Sequence, residues 1–257
     1  MRDPFSNVPP AIRALFYMGR RFLCPFCGWK FRKFLPFGEK SPVLQEKKVI
    51  GGGYRMNVRC PRCGSTDRER LVYLYVKSKT NIFSGKIKML HIAPEENLRK
   101  SFGSRPNIDY LSADVDPEEA MVRMDITDIQ YADDHFDVIV CNHVLEHIPN
   151  DALAMTELFR VLKPGGWAIL QVPISKVSLH TFEDFSVVTE KDREEKFGQR
   201  DHVRIYGQDY KERLGRTGFL VTSHSSTDLF GESLVMSYAL LPDEKLFVCS
   251  KPKGSDS

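Results

Sequence analysis

Residues 136 to 173 read FDVIVCNHVLEHIPNDALAMTELFRVLKPGGWAILQVP, and no other stretch restricts the fold as tightly. Its two apolar runs, FDVIVC and WAILQVP, have the length of buried strands and fall far short of the roughly 18 residues of a membrane span. Between them Leu153, Leu158, Val161 and Leu162 recur at helical spacing, and Pro164, Gly165 and Gly166 stop the helix. Strand, helix and strand in this order make a βαβ unit, the building block of a parallel sheet covered on both faces.

The same alternation extends on either side. KIKMLHIA (86–93), IDYLSAD (108–114) and MVRMDI (121–126) read as further strands, and DYKERLGRTGFLVTSHS (209–225) reads as a helix, a stop at Gly218 and another strand. KLFVCSK (245–251) is expected as a final edge strand, and Cys141 and Cys249, inside apolar runs, as small core residues. With 257 residues and 42% hydrophobic content, the chain can bury one ordinary core and carry a small second module. The boundary is expected near residue 80, with an N-terminal helix, a ribbon and a linking helix over 1–80 and the α/β domain over 81–257. STDRERLVYLYVKSK (65–79) is that linking helix, with capping residues at its start and Leu71, Leu74 and Tyr75 at helical spacing. AIRALFYMGRRF reads as an amphipathic helix, packed on the protein or lying on a membrane or partner. The N-terminus lacks a secretory cleavage pattern, so a cytoplasmic chain is expected.

Four of the six cysteines repeat one pattern, CPFCG at Cys24 and Cys27 and CPRCG at Cys60 and Cys63. Two thiols three apart with a glycine behind them let the backbone turn so that both sulfurs face one point, and two such knuckles make a closed four-sulfur structural zinc site. A pair of redox disulfides is the competing reading. The 32 residues between the knuckles exceed the commonest ribbon spacing. Charge divides the chain at the same place: residues 1–80 hold 17 Lys and Arg against 5 Asp and Glu, whereas the rest holds 20 against 29. The basic half therefore suits an anionic partner, whether RNA, DNA, a phosphorylated molecule or the acidic second domain.

The ordered run from FDVIVC through LKPGG to QVP resembles the fourth strand, helix and fifth strand of class I S-adenosylmethionine-dependent methyltransferases, in particular the type 11 branch. The resemblance covers about residues 86 to 250 and leaves the cysteine knuckles outside it. It implies a Rossmann-like methyltransferase fold, with a mostly parallel seven-stranded sheet, helices on both faces and a bound S-adenosylmethionine. A zinc module ahead of such a domain also resembles bacterial ribosomal RNA guanine methyltransferases, although their ribbon spacing differs.

In that family the first strand ends in an acid followed by Gly-x-Gly, and here the aligned LHIAPE has His91, Ala93 and Glu95 in their place. Ala93 is small enough for close approach, Pro94 pre-sets a tight turn, and Glu95 offers a negative charge to the ammonium or sulfonium group. The resemblance places Asp114 at the ribose hydroxyls with Asp116 as substitute, Asp125 and Ile126 at the adenine, and Asn142 and His143 at the methionine moiety. DPEEA leaves too few residues for the usual crossover helix between the second and third strands. For the transfer itself the candidates are His143, His147 and His202 as bases, with Arg204 and Tyr206 sharing a face with His202 for acceptor contact. The preceding polar loop, SKVSLHTFEDFSVVTEKDREEKFG, suits a lid. HVLEH (143–147) also matches the H-x-x-E-H zinc signature of a metallopeptidase group; with Pro149 close behind and no third ligand evident, it reads as coincidence. The remaining alternative is a non-catalytic scaffold with a methyltransferase-like fold, which S-adenosylmethionine would fail to stabilise.

Overall fold

The structure, a computed structural model, describes residues 8–254; the first seven residues of the N-terminal stretch read for a targeting signal lie outside them. The N-terminal part runs α1 (Pro10–Phe16), β1 (Met18–Leu23), β2 (Lys30–Phe31), β3 (Leu35–Phe37), α2 (Pro42–Glu46), β4 (Val49–Ile50), β5 (Arg55–Arg59) and α3 (Asp67–Lys79). The expected helix over AIRALFYMGRRF is thus only its first half: the chain leaves α1 at Tyr17 and continues as β1, paired antiparallel with β2. α3 starts where its capping residues require, with Thr66 and Glu69 exchanging side-chain and backbone hydrogen bonds across the first turn.

The rest runs β6 (Ile87–Ile92), α4 (Glu96–Gly103), β7 (Ile108–Asp114), β8 (Val122–Arg123), β9 (Phe136–Asn142), α5 (Asp151–Val161) and β10 (Leu162–Gln171). It continues as β11 (Ile174–Ser175), β12 (Phe182–Glu183), α6 (Glu190–Phe197), β13 (Arg204–Ile205), α7 (Tyr210–Gly215), β14 (Leu220–Ser225), α8 (Ser226–Ser237) and β15 (Lys245–Ser250). The described residues build a seven-stranded sheet in the order β14-β15-β10-β9-β6-β7-β8, parallel except for β15. Alternate strand residues feed two cores: Leu90, Ile92, Ile139 and Cys141 pack on one side, and Met89, Val138 and Val140 on the other. This mostly parallel sheet, covered by helices on both faces, is the expected Rossmann-like architecture.

Three local expectations need correction. β15 is interior, hydrogen-bonded to both β10 and β14, so β14 is the edge strand. Helix α5 ends at Val161, and Leu162 to Gly166 already belong to β10, where the register with β9 shifts between Leu162 and Trp167. The buried stripe of α5 is Ala154, Met155, Leu158 and Val161, whereas Leu153 is 43% exposed. Between β7 and β8 the chain makes only a turn, as the short DPEEA segment requires.

Two connections tie the N-terminal part to the sheet. β4 pairs antiparallel with β11, setting Ile50 opposite Ile174. Arg70 is fully buried and donates to Ser65 O and Val58 O on its own side and to Tyr238 O and Ala239 O beyond α8. Part of the basic excess is therefore consumed internally. Arg55, one of the basic residues of that part, is a buried bidentate partner of Asp67 at 2.8 and 3.0 Å. Arg62 lies over the Trp29 ring at 4.3 Å.

Candidate active-site cleft

The carboxyl ends of β6, β7 and β9 surround a cleft of ≈ 530 Å³. This volume lies in the range of small-molecule sites. Its walls are Ile92, Val115, Met124 and Ile126 on the apolar side, with Asp114, His143, His147 and Asp201 as polar groups. Two backbone features shape it. Ala93 has φ 45° and His143 has φ 55°, both in the left-handed region that favours glycine. A left-handed alanine costs about 1 kcal/mol, so the turn after β6 keeps the glycine shape without the glycine.

The side chains behind this turn form a closed relay. His91 is fully buried, with Nδ1 2.9 Å from the Tyr110 hydroxyl and Nε2 3.1 Å from Glu95 Oε2. Asn142 Nδ2 donates to the other Glu95 oxygen at 3.1 Å, leaving Asn142 Oδ1 buried without a partner. Glu95 therefore makes no side-chain cap for α4; it bridges the ends of β6 and β9. Burial raises its pKa, but the hydrogen bond from His91 and the attraction of that ring outweigh it, and the net shift is downward. Where the resemblance expects a carboxylate, position 91 holds a histidine, and the nearby carboxylate is that of Glu95, hydrogen-bonded to it. Neither Pro94 nor Glu95 lines the cleft, so the glycine-free turn leaves it open.

Of the expected cofactor positions, Ala93, Asp114, Ile126 and His143 line the cleft, while His91, Glu95 and Asn142 support it from behind. Asp116 and Asp125 do not reach it. Asp125 is exposed and accepts from the Thr127 amide and hydroxyl at 2.8 and 2.7 Å, and Asp116 is exposed and accepts from the Glu118 amide. Both are local turn formers. The apolar wall expected beside Asp125 is present at Ile126 and Met124.

The expected acceptor residues divide in the same way. Arg204 is 1% exposed, and its guanidinium donates to Leu145 O, Ile148 O and Pro149 O and pairs with Glu183 at 2.9 Å. Tyr206 is fully buried, its hydroxyl 2.7 Å from Asp151 Oδ2. Neither side chain faces the cleft; together they clamp the turn that carries His143 to His147, and we reassign both from acceptor contact to positioning. His202 is 4% exposed, packs edge-on against His147 with ring centroids 4.7 Å apart, and is pushed down to about 4 by burial.

Sequence reasoning missed what lies beneath His143. Gly51, at φ +77°, sits where a Cβ would come within 3.0 Å of Glu244 Oε1 and 3.5 Å of His143 Cε1. The Gly-Gly-Gly loop of the N-terminal part thus seals the floor of the site, and the adjacent glycines in YRMNVR's lead-in were the available signal. Behind it Glu244, Arg68, Arg55 and Asp67 form a buried charged group. Burial first, then Asp67, pushes the Glu244 carboxyl up to about 7.

In the N-terminal part the four cysteine sulfurs lie within 4.8 Å of one another, with Cys24 to Cys63 at 3.5 Å and Cys27 to Cys60 at 3.8 Å. A tetrahedron with 2.3 Å bonds has edges of about 3.8 Å. Gly28 and Gly64 follow the knuckles at φ 71° and 75°, and their amides donate back to Cys24 O and Cys60 O. Ser65 Oγ lies 3.3 Å from both Cys24 and Cys63.

The sheet order and its flanking helices give the fold shared by class I methyltransferase domains. Residues 94–170 match the type 11 family model described as a methyltransferase domain. Among solved structures, the 4+2 cyclase SpnF aligns with 14% identity over 85% of this chain and 100% of its own, at a TM-score of 0.53. The putative methyltransferase of Haloferax volcanii, solved in complex with the Trm112 methyltransferase activator, aligns with 16% identity over 72% of this chain and 91% of its own, at 0.49. Haemonchus contortus phosphoethanolamine N-methyltransferase 2, in complex with S-adenosyl-L-methionine, aligns with 15% identity over 74% of this chain and 53% of its own, at 0.49. Comparison with curated proteins yields no match. No helix among the described residues is long and apolar enough to cross a membrane.

Proposed function

We propose that the protein is an S-adenosylmethionine-dependent methyltransferase whose cleft binds the cofactor without the usual glycines. The observation that carries this reading is the left-handed Ala93 opening a cleft between an apolar wall and the Asp114 carboxylate. Asp114 would accept the ribose hydroxyls, Ile126 and Met124 would face the adenine, and Glu95, held behind the cleft by His91 and Asn142, would lend its negative field to the methionine ammonium. S-adenosylmethionine supplies the electrophilic methyl group, and the protein aligns the acceptor and excludes water. His143, a cleft residue with both ring nitrogens free of hydrogen-bond partners, would meet the acceptor. The four cysteines would hold structural zinc, since their separations fit its tetrahedron and four ligands leave no open position.

An anionic acceptor, RNA among the candidates, is favoured by the exposed Arg20, Arg21, Lys30, Arg32 and Lys33 around β1 and β2. The scaffold reading rests on the missing glycines. Thermal unfolding with and without saturating S-adenosylmethionine, followed by incubation of labelled cofactor with fractionated cell extract, separates the two. A raised Tm and a labelled fraction support the enzyme; an unchanged Tm and no label support the scaffold.

A further inference from the structure

Buried polar atoms without partners concentrate at one end of the cleft. Glu146 is 2% exposed, and its Oε2 has no hydrogen-bond partner; Oε1 lies 3.4 Å from His143 Nδ1 without hydrogen-bond geometry. An unmet buried carboxylate oxygen costs on the order of 1–3 kcal/mol or more, so such an atom calls for a ligand. Two histidines stand beside it. His147 follows Glu146 in the short 3-10 turn Leu145–His147, and His202 arrives on the segment whose Val203 amide donates to Glu146 O at 3.0 Å. One ligand atom from each of Glu146, His147 and His202 lies within 4.8 Å of the others.

We propose that Glu146, His147 and His202 hold a divalent first-row transition ion at the acceptor end of the cleft. Two imidazoles and one carboxylate are the donor set of catalytic zinc and non-haem iron sites, which keep positions open for another ligand. The supporting contacts are of the kind such sites use. A proton on His147 Nδ1 satisfies the Asp201 carbonyl at 3.2 Å and leaves the Nε2 lone pair free, and the Asp201 carboxylate lies 3.4 Å from the same nitrogen. Arg204 fixes the turn itself through the carbonyls of Leu145, Ile148 and Pro149. The Arg68 guanidinium also acts on Glu146, within a buried group that holds Arg55, Asp67 and Glu244 as well.

The H-x-x-E-H signature is thus only half used: its first histidine stays outside the cluster, and the third ligand comes from 55 residues beyond His147, at His202. Because His147 and Asp201 line the same cleft as Ala93 and His143, the open position faces the proposed methyl acceptor. There the ion would orient and polarise an acceptor oxygen. This role rests on the methyltransferase reading; the ion site does not.

The test uses the full chain, saturated with zinc and then equilibrated with cobalt(II), with metal content measured per chain and the cobalt visible spectrum recorded. The wild type is expected to hold one more equivalent of metal than His147→Gln and His202→Gln, as cobalt without a thiolate charge-transfer band. Each variant should weaken that cobalt more than about tenfold and keep the cysteine-bound zinc. His147 is 31% exposed, so His147→Gln is expected to keep the fold even where His202→Gln does not. A wild type with no extra equivalent, or an extra equivalent that neither variant disturbs, overturns the site. The Tm shift with S-adenosylmethionine is read on the same samples. Histidine-dependent cobalt without that shift upholds the ion site and removes only its catalytic role.

Discussion

The cysteine knuckles and the turn after β6 are both motifs that point groups at a ligand, yet one is complete and the other lacks its signature residues. The knuckles keep every sulfur and both left-handed glycines. The turn keeps only the backbone shape, with Ala93 at φ 45° where a glycine is expected. The difference separates two kinds of requirement. A metal needs donor atoms at fixed positions, and here four thiols stand together to supply them. A close backbone approach needs only a dihedral angle, which an alanine reaches for about 1 kcal/mol, and a displaced carboxylate can return four residues later. Glu95 stands four residues beyond His91, and His91 and Asn142 hold its two oxygens.

The sharpest way to break the comparison is on the donor-atom side. Cys60→Ser should abolish zinc retention and lower stability by about 5 kcal/mol or more, read by metal analysis and urea unfolding, because site formation and folding of that part are one event. Next, Arg204→Met should destabilise by about 3 kcal/mol, since it leaves the carbonyls of Ile148 and Pro149 without their buried donor and takes one of its two arginine partners from Glu183. Its unfolding midpoint is the check; an Arg204 that bound acceptor instead would show a raised KM at normal stability.

Smaller effects probe the floor and the turn. The Glu244 carboxyl is raised from 4.5 to about 7, so the folded state holds its proton more tightly than the unfolded state. Its contribution is complete below the unfolded value and is lost as pH rises through the folded one, a slope of about 1 kcal/mol per pH unit. The facing groups are Asp67, Arg68, Arg55 and Arg70. Glu244→Gln should remove that slope when urea unfolding is compared at acid and neutral pH. The smallest change sharpens the comparison most. Ala93→Gly should stabilise by about 0.5–1 kcal/mol and leave cofactor affinity intact, whereas Ala93→Leu should fill the cleft and abolish binding. Equal binding by the leucine variant would place the ligand elsewhere.

Much of this was legible in the chain. Strands 108–114 and 136–142 stand where apolar periodicity puts them, because their burial is written residue by residue. What escaped depends on pairing across the chain. Nothing local in KLFVCSK says that β14 would cover it, and nothing in Val49–Ile50 announces a partner at Ile174. Helix α8, interrupted by Gly231 at φ 75°, has no clean periodicity. Asp116 and Asp125 look like strand-end ligands in sequence, but turn formation claims the same oxygens. Arg204 and Tyr206 look available because arginine and tyrosine usually are, and only the fold shows them buried beneath the 145–149 turn. Glu146 was visible inside H-x-x-E-H, but its partner His202 is brought near only by the return of the chain after α6.

The central claim is that a cleft shaped by Ala93 and walled by Asp114 and Ile126 still receives the cofactor. A crystal structure of the protein with S-adenosylhomocysteine tests it most directly. The account predicts density across the ends of β6, β7 and β9, with the ribose on Asp114 and the adenine against Ile126. A saturated crystal in which that space holds only water, or in which the ligand lies on another face, contradicts it.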